Sequence, residues 1–542
     1  MTLQRIFVRR RKWLLAGAAC VVLLSLLSPR WAAAQEPETS RPDYSRSLGW
    51  VALLKLEQFR PLPVPEPSFQ NSALLPRLLD GGKLALSVAQ LDQAVVENNL
   101  AIAAARYTVA MADADLLKAR SGQNPSGTVA APIPGALGSA SFGSGGGGGP
   151  RNFAGPVNVG PRGSFDPALT LSLTIDTNTV PLNNTRVTGV SSVVTHTTAV
   201  QARYTQAFTT GTSFSVNFNV QRSSSTSRNQ RFNPSFTSNY NLSVNQQLFS
   251  GFGFAMNRRY QTVAETNRQT AKHYFAQQAI AQLVQSENRY WDLVAAKETV
   301  RAAAQALAVA EQLLRDNRLQ VEIGTLAPLD VTVSEAEVAA RRRDLIVAQT
   351  AEQRAALDLK HLLARQMEEA LAATAVETTD PLPEPRDSDI PAFEEAVGLA
   401  LRHRPELLQA EGNLKNQEVA VAYTRQRLRP TVSVFGVLSS VGREADLTAS
   451  WAQLRRLDFP EYAYGLSVSF PIGNRAAQAD HQEALLNRQQ GEAALQRTRE
   501  QIRREVRNAL IGLTQAKAQV RAAQVAVERS VQTLDAEQKK LR

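Results

Sequence analysis

At 542 residues, with 43% hydrophobic and 20% charged side chains, the chain is long enough for two to four ordinary domains. Its formal charge is +11, but six basic residues (Arg5, Arg9, Arg10, Arg11, Lys12 and Arg30) precede residue 35, which leaves +5 for the remainder. The basic residues beyond position 34 are interspersed with acidic ones along helical stretches, which excludes a nucleic-acid footprint, and a single cysteine excludes a disulfide framework.

Residues 1–34 read as an export signal: early basic residues, an apolar run from Trp13 to Leu27, and the small-residue site Ala32-Ala33-Ala34, with cleavage expected after Ala34. A single membrane anchor is the other reading of that run. Cys20 lies inside it, behind Gly17-Ala18-Ala19, which lacks the large aliphatic residue of a lipoprotein site. A proline-rich arm over 35–83 contains Pro37, Pro42, Pro61, Pro63, Pro65, Pro67 and Pro76. Helical periodicity starts at Leu86, with Leu91, Val95 and Ile102 on one face, and continues to Arg120. Residues 121–164 are rich in Gly, Pro and Ser and lack the Lys-Ser/Thr pair of a phosphate loop, so they read as a flexible insertion.

Four segments within 166–248 alternate strictly. Leu169, Leu171, Leu173 and Ile175 are interleaved with Thr170, Ser172, Thr174 and Asp176, and similar runs occupy 200–205, 213–220 and 239–244. Period two marks strands with two unlike faces. The Ser/Thr/Asn-rich stretches 177–197 and 223–235 read as exposed loops. An apolar and a small-polar face per strand suit a barrel between lipid and water, although a soluble sandwich alternates in the same way. Phe208, Tyr462 and Phe470, near strand ends, fit an interfacial girdle.

From 253 to 323 apolar side chains recur every seven residues, at Leu293, Val300, Leu307, Leu314 and Val321, which is a coiled-coil seam. At ~1.5 Å per residue such a helix reaches about 100 Å. Gly324 supplies a left-handed helix end and Pro328 a helix start, and the seam resumes at Val331, Val338 and Leu345. An antiparallel hairpin over 253–373 follows. A Pro/Asp-rich linker occupies 374–391.

The plan then recurs over 392–542: a helix to Arg429, alternating strands within 431–470, and a long helix over 473–542. Asn267-Arg268-Gln269 reappears as Asn487-Arg488-Gln489, 220 positions on, and the seam as Leu513, Val520, Val527, Leu534 and Leu541. The chain is thus an internal two-fold repeat, its first copy covering 84–373.

Leu248-Phe249-Ser250-Gly251 and Phe470-Pro471-Ile472-Gly473 stand at the two strand-to-helix junctions. Arg404-Pro405-Glu406-Leu407 lies in the second helical segment, and Gly324-Thr325 precedes Leu329-Asp330-Val331 at the hairpin tip. In that order, over nearly the whole length beyond the signal, the chain resembles the TolC family of outer-membrane efflux proteins. The resemblance implies an α+β membrane protein and a homotrimer. Its long antiparallel coiled-coil helices form a barrel through the periplasm, and each subunit gives transmembrane strands to one shared β-barrel. It implies a passive exit duct for drug or solute efflux or type I secretion. Its partners would be outer-membrane lipid, a periplasmic adaptor (membrane-fusion) protein and an inner-membrane pump of RND, ABC or MFS type. The alternative from another class is a periplasmic coiled-coil adaptor or scaffold without a barrel.

The chain departs from that family in having four candidate strands before the first long helix where two are usual, so that either a hairpin extends above the membrane or the barrel is larger. By the 220-residue offset, the counterpart of Gly324 would be position 544, so a second tip turn and its returning helix are expected to be missing after Arg542.

The five histidines are scattered and no nucleophile, acid/base or cofactor motif is present, so neither catalysis nor a metal or cofactor is expected. Gly324, Thr325 and Leu326 are the candidate adaptor-contacting tip; an ordinary hairpin turn would read the same. The resemblance places at Asp330 an acidic residue that holds the tip closed, while an Asp there also suits a helix start. The tyrosine that accepts this contact would fall at 541, where Leu541 stands. Phe249, Gly251, Pro471 and Gly473 are the junction residues.

Overall fold

The computed structural model describes Phe59, Pro61 and residues 63–80, 82–128, 132–134, 137, 164–381 and 390–541. Contacts divide the chain into two units, Met1–Asp43 and Tyr44–Arg542, and every described residue lies in the second. The expected signal therefore lies outside the described residues, as do most of the arm before 59, residues 138–163 of the Gly-rich insertion and 382–389 of the linker.

Helix α1 (Val88–Asn98) opens with a capping box in which Ser87 and Gln90 satisfy each other's backbone N–H groups. What the periodicity read as one helix is two. The Asn99 side chain accepts from the N–H groups of Ala101 and Ile102 and so starts α2 (Leu100–Arg120) with a new cap. A three-stranded sheet packs beside them: β1 (Leu79–Asp80), β2 (Lys83–Leu86) and β7 (Ala375–Thr378), with β2 and β7 parallel. Strand β7 thus falls within the stretch read as a linker. Leu84, Leu86, Leu91, Val95 and Ile102 close a core with Tyr290, Leu293, Leu359 and Leu363 of the long hairpin.

That hairpin is α3 (Arg259–Glu322) and α4 (Pro328–Leu363). Burial along it follows the heptad: Leu293 is buried, Val300, Leu307, Leu314 and Val321 are half-buried, and on the return Val338 and Leu359 are buried and Val331 and Leu345 half-buried. Lys360 is buried near its end and donates to the carbonyls of Ala372 (2.7 Å) and Thr374 (2.5 Å), orphans of the short turn 369–373. Burial pushes its ammonium below the ordinary lysine range.

In the second half, α5 (Phe393–His403) and α6 (Pro405–Arg427) precede two strands, β8 (Thr431–Glu444) and β9 (Pro460–Ser469), and α7 (Leu447–Arg456) lies between the strands; α8 (Arg475–Leu541) follows. Helix α6 packs against both α3 and α8. Asn416 Nδ2 donates to Asn267 Oδ1 at 2.6 Å, and Leu407 meets Leu495 and Ile502. A second core joins Leu116, Tyr260, Val263, Tyr423 and Ala484 at the foot of the strands. There the Arg259 guanidinium lies between the rings of Tyr260 (4.1 Å) and Tyr423 (4.5 Å).

The large sheet holds β3 (Ala168–Pro181), β4 (Ser192–Ala207), β5 (Thr212–Ser225), β6 (Ser235–Gln247), β8 and β9, in that order and all antiparallel. Of the stretches expected to be loops, 182–191 and 226–234 are loops, but the strands run further into them than expected, over 177–181, 192–197 and 223–225. These strand ends are polar but rich in β-branched residues such as Thr177, Thr179, Val193, Val194, Thr195 and Thr197, which suit a pleated surface. The fold is therefore α+β: long helices joined to one antiparallel sheet.

Candidate membrane-facing sheet and helical tip

Residues directly opposite one another in a sheet share a face, so the register sorts the side chains without further assumption. One row reads Leu169, Tyr204, Val216, Leu242, Leu438 and Tyr462 across all six strands. The next includes Leu171, Ala202, Phe218 and Tyr240. This face is apolar; on the edge strands it is bare, Leu171 being 71% exposed and Tyr464 91%, and Tyr204, Phe218, Leu242 and Leu438 on the strands between are half-buried. The opposite face carries Ser172, Gln201, Asn219 and Asn239 in one row and binds to itself: Gln201 donates to Asn217 (2.8 Å), and the Ser215 and Ser243 hydroxyls are hydrogen-bonded at 2.6 Å.

Phe435 and Val437 break the polar pattern. The ring of Phe435 lies over Gly465, where a Cβ would stand 2.7 Å from Cζ.

Exposed aromatics mark both ends of the apolar face. Phe208, Phe249, Phe252, Phe254 and Phe470 stand at the helical end, and Trp451, Phe459 and Tyr462 toward the other. Along β9, the eight residue-to-residue steps from Tyr462 to Phe470 span about 26 Å at ~3.3 Å each. An apolar band of a membrane barrel is ~25 Å tall between aromatic girdles. Among the described residues no helix is long and apolar enough to cross a membrane.

Helix α7 rests on the apolar face near its far end. Asp446 caps it, accepting from Thr448 N–H at 2.9 Å and held below the usual carboxylate range by those hydrogen bonds. Ser450 Oγ donates to the Gly442 carbonyl (2.8 Å) and accepts from Ser238 N–H (3.1 Å), and Trp451 meets Phe218 with ring centroids 4.9 Å apart. Gly442 is required, because a Cβ there would sit 2.1 Å from the Ser450 carbonyl oxygen.

The junctions turn sheet into helix with left-handed residues. Gly251 and Gly253 have φ of +91° and +92°, and Asn257 Nδ2 donates to both of their carbonyls, at 3.0 and 2.9 Å. At the second junction the left-handed residue is Asn474 (φ +33°) rather than Gly473, and its Nδ2 donates to the Leu428 carbonyl at 3.2 Å. Phe249 and Pro471 are exposed.

Among solved structures, the Campylobacter jejuni CmeC outer membrane channel is 16% identical to this chain. The match covers 92% of this chain and 82% of that one, with a TM-score of 0.50. The outer membrane protein VceC from Vibrio cholerae is 15% identical, covering 85% and 86%, with a TM-score of 0.50. No family model matches the chain, and no curated protein does. The chain has the fold of these outer-membrane proteins. The TolC-like character read in the sequence is thus present in the fold.

In this fold the hairpin tip is a Schellman turn. Gly324 has φ +82°, its N–H donates to Val321 O (3.1 Å), and Thr325 N–H reaches back to Gln320 O (2.9 Å). Pro328 is the first residue of α4. Gly324 and Thr325 are exposed and Leu326 half-buried, with Ile323 and Leu329 bare beside them. Asp330 lies in the first turn of α4, half-buried. Among the described residues its carboxylate has no ion-pair or hydrogen-bond partner; its backbone carbonyl accepts from Ser334 Oγ (2.8 Å). Tip and junction residues lie at opposite ends of α3. No group of described side chains is placed to hold a metal ion.

Sequence reasoning missed α7 and the capping role of Asn257. The spacing of Leu447, Ser450, Trp451 and Leu454 behind Asp446 was the available signal for the first.

Proposed function

We propose that the chain is one subunit of a homotrimeric outer-membrane duct, the passive exit of a tripartite drug or solute efflux, or type I secretion, system. The observation that carries this reading is the apolar face of the six-stranded sheet, bare on its edge strands, bounded by aromatics about 26 Å apart and standing on helices about 100 Å long. A water-soluble protein would hold so large an apolar face in solvent, which monomers avoid. The likeness to the CmeC outer membrane channel supports the reading at the level of fold.

On this reading the apolar face meets outer-membrane lipid and the amide and hydroxyl face lines the lumen. One sheet has two open edges, at β3 and β9. In lipid each unpaired backbone group costs several kcal/mol, so the edges of three copies close on one another. The helices cross the periplasm; Gly324, Thr325 and Leu326 contact a periplasmic adaptor, and Asp330 is the gate candidate. Energy comes from an inner-membrane pump of RND, ABC or MFS type, and the duct performs no chemistry.

Membrane fractionation tests this directly. Heat-modifiable trimers in the outer membrane are expected, and removal of the protein should raise sensitivity to toxic small molecules or block secretion of a cargo. Soluble or inner-membrane monomers would overturn the reading in favour of a coiled-coil scaffold.

A further inference from the structure

The TolC resemblance carries two strands before the first long helix and two before the second, four per chain. In the large sheet of this chain four strands precede α3 and, among the described residues, there are six in all. An additional hairpin could be an appendage raised above the membrane or part of the wall, and three observations decide between these.

First, the added pair has its feet at the same level as the others. Phe165 N–H donates to Ser121 O at 2.7 Å, so β3 rises from the end of α2. The turn between β4 and β5 is bound to the foot of the first long helical segment, with Gly253 N–H donating to Thr210 O at 3.2 Å. Gly211 packs there so closely that a Cβ would stand 2.5 Å from Gly251 O. Second, the pairing is unbroken: β4 bonds β3 on one side and β5 on the other, and the apolar rows continue through β3. Third, Leu169 to Ile175, all exposed, lay about 20 Å of apolar side chain along the outer face of β3. An appendage above the membrane would present that face to water.

We propose that all six strands of each chain are wall strands, so that β3 of one chain closes on β9 of the next. This rests on the trimeric-duct reading above. Six strands in each of three chains give an eighteen-stranded barrel. Strand β3 runs away from the helices and β9 toward them, so the closure is antiparallel like every other pairing in the sheet. Barrel diameter grows about linearly with strand number, so the membrane pore is about 1.5-fold wider than four strands per chain would form, and it passes correspondingly bulkier solutes.

Cysteine pairs in the full chain, expressed in its own outer membrane, test the closure. The only native cysteine is Cys20, and the substituted positions are small polar-face residues. Ser172→Cys in β3 is combined in turn with Ala463→Cys, Ser467→Cys and Ser469→Cys in β9, and oxidised trimers are run under non-reducing conditions. Covalent trimers from at least one pair are expected. Asn217→Cys in β5, combined with the same β9 positions, is the control for a barrel closed by four strands per chain. Covalent trimers through β5, or none through β3 at any position, would overturn the eighteen-stranded wall while heat-modifiable trimers keep the duct reading intact. Absence of trimers from the outer membrane in the unsubstituted protein would remove both.

Discussion

Helices α3 and α8 share a sequence offset of 220 residues and a heptad seam, yet they end in opposite circumstances. Along α3 the seam is covered by α4, and Leu293 is fully buried. Its counterpart Leu513 in α8 is 50% exposed and Val527 is 63% exposed. From 511 to 536 every residue of α8 but Lys517 is exposed. Within this chain the heptad of α3 is thus covered where the Gly324-Thr325 turn brings a second helix back. A long helix without such cover keeps its register but gains little tertiary stabilisation, which supplies most helical stability in proteins.

The largest effect should separate these two helices at matched positions. Leu293→Ala removes a side chain packed among Leu91, Val95 and Leu359 and should cost about 2–5 kcal/mol. Leu513→Ala should stay within about 0.5 kcal/mol. Unfolding of the two variants in detergent, followed by circular dichroism, measures the contrast. An equal loss would break the comparison and show that assembly covers position 513.

A polar pair sharpens it further. Asn267 is buried and accepts from Asn416 across the α3–α6 contact, whereas its counterpart Asn487 is half-buried and makes no side-chain hydrogen bond among the described residues. Asn267→Ala leaves the Asn416 amide buried without its acceptor, at a cost of about 1–3 kcal/mol. Asn487→Ala should leave the midpoint of thermal unfolding near that of the parent. A double variant with Asn416→Ala, costing less than the two single losses added, would confirm that one bond is shared.

Much of the fold was legible because it repeats a short-range period. Seven-residue spacing marked the α3 seam, alternation marked the strands, and Gly324 with Pro328 marked a turn whose full Schellman pattern follows from a left-handed glycine. The pairing of Lys83 with Ala375 in β2 and β7 had no local mark, because a parallel ladder joining residues nearly 300 apart leaves neither strand with a distinctive period. The strand ends within 177–197 were hidden because threonine signals polarity in a pattern search and branching in a pleat. At the candidate site, the tip was visible as a turn and the apolar face as alternation. That Asn474, rather than Gly473, takes the left-handed turn depends on its bond to Leu428 and was not visible.

The smallest expected effect tests whether charge or the seam holds the hairpin. Arg318 of α3 and Glu335 of α4 meet at 2.6 Å, but both side chains are more than half exposed. Water and salt screen such a pair, and ordering two long side chains offsets much of the attraction. Glu335→Gln should therefore lower stability by less than about 0.5 kcal/mol, with the difference fading as salt is raised. The same holds for Glu500→Gln, which removes the 2.6 Å contact with Arg503 in α8. If Glu335→Gln alone loosened the hairpin, seen as faster amide exchange from 311 to 342, the ion pair would carry weight that the seam is here assigned. If both changes are silent, the difference between α3 and α8 lies in apolar cover, since the two helices bear similar charged surfaces and differ in what lies over their leucines.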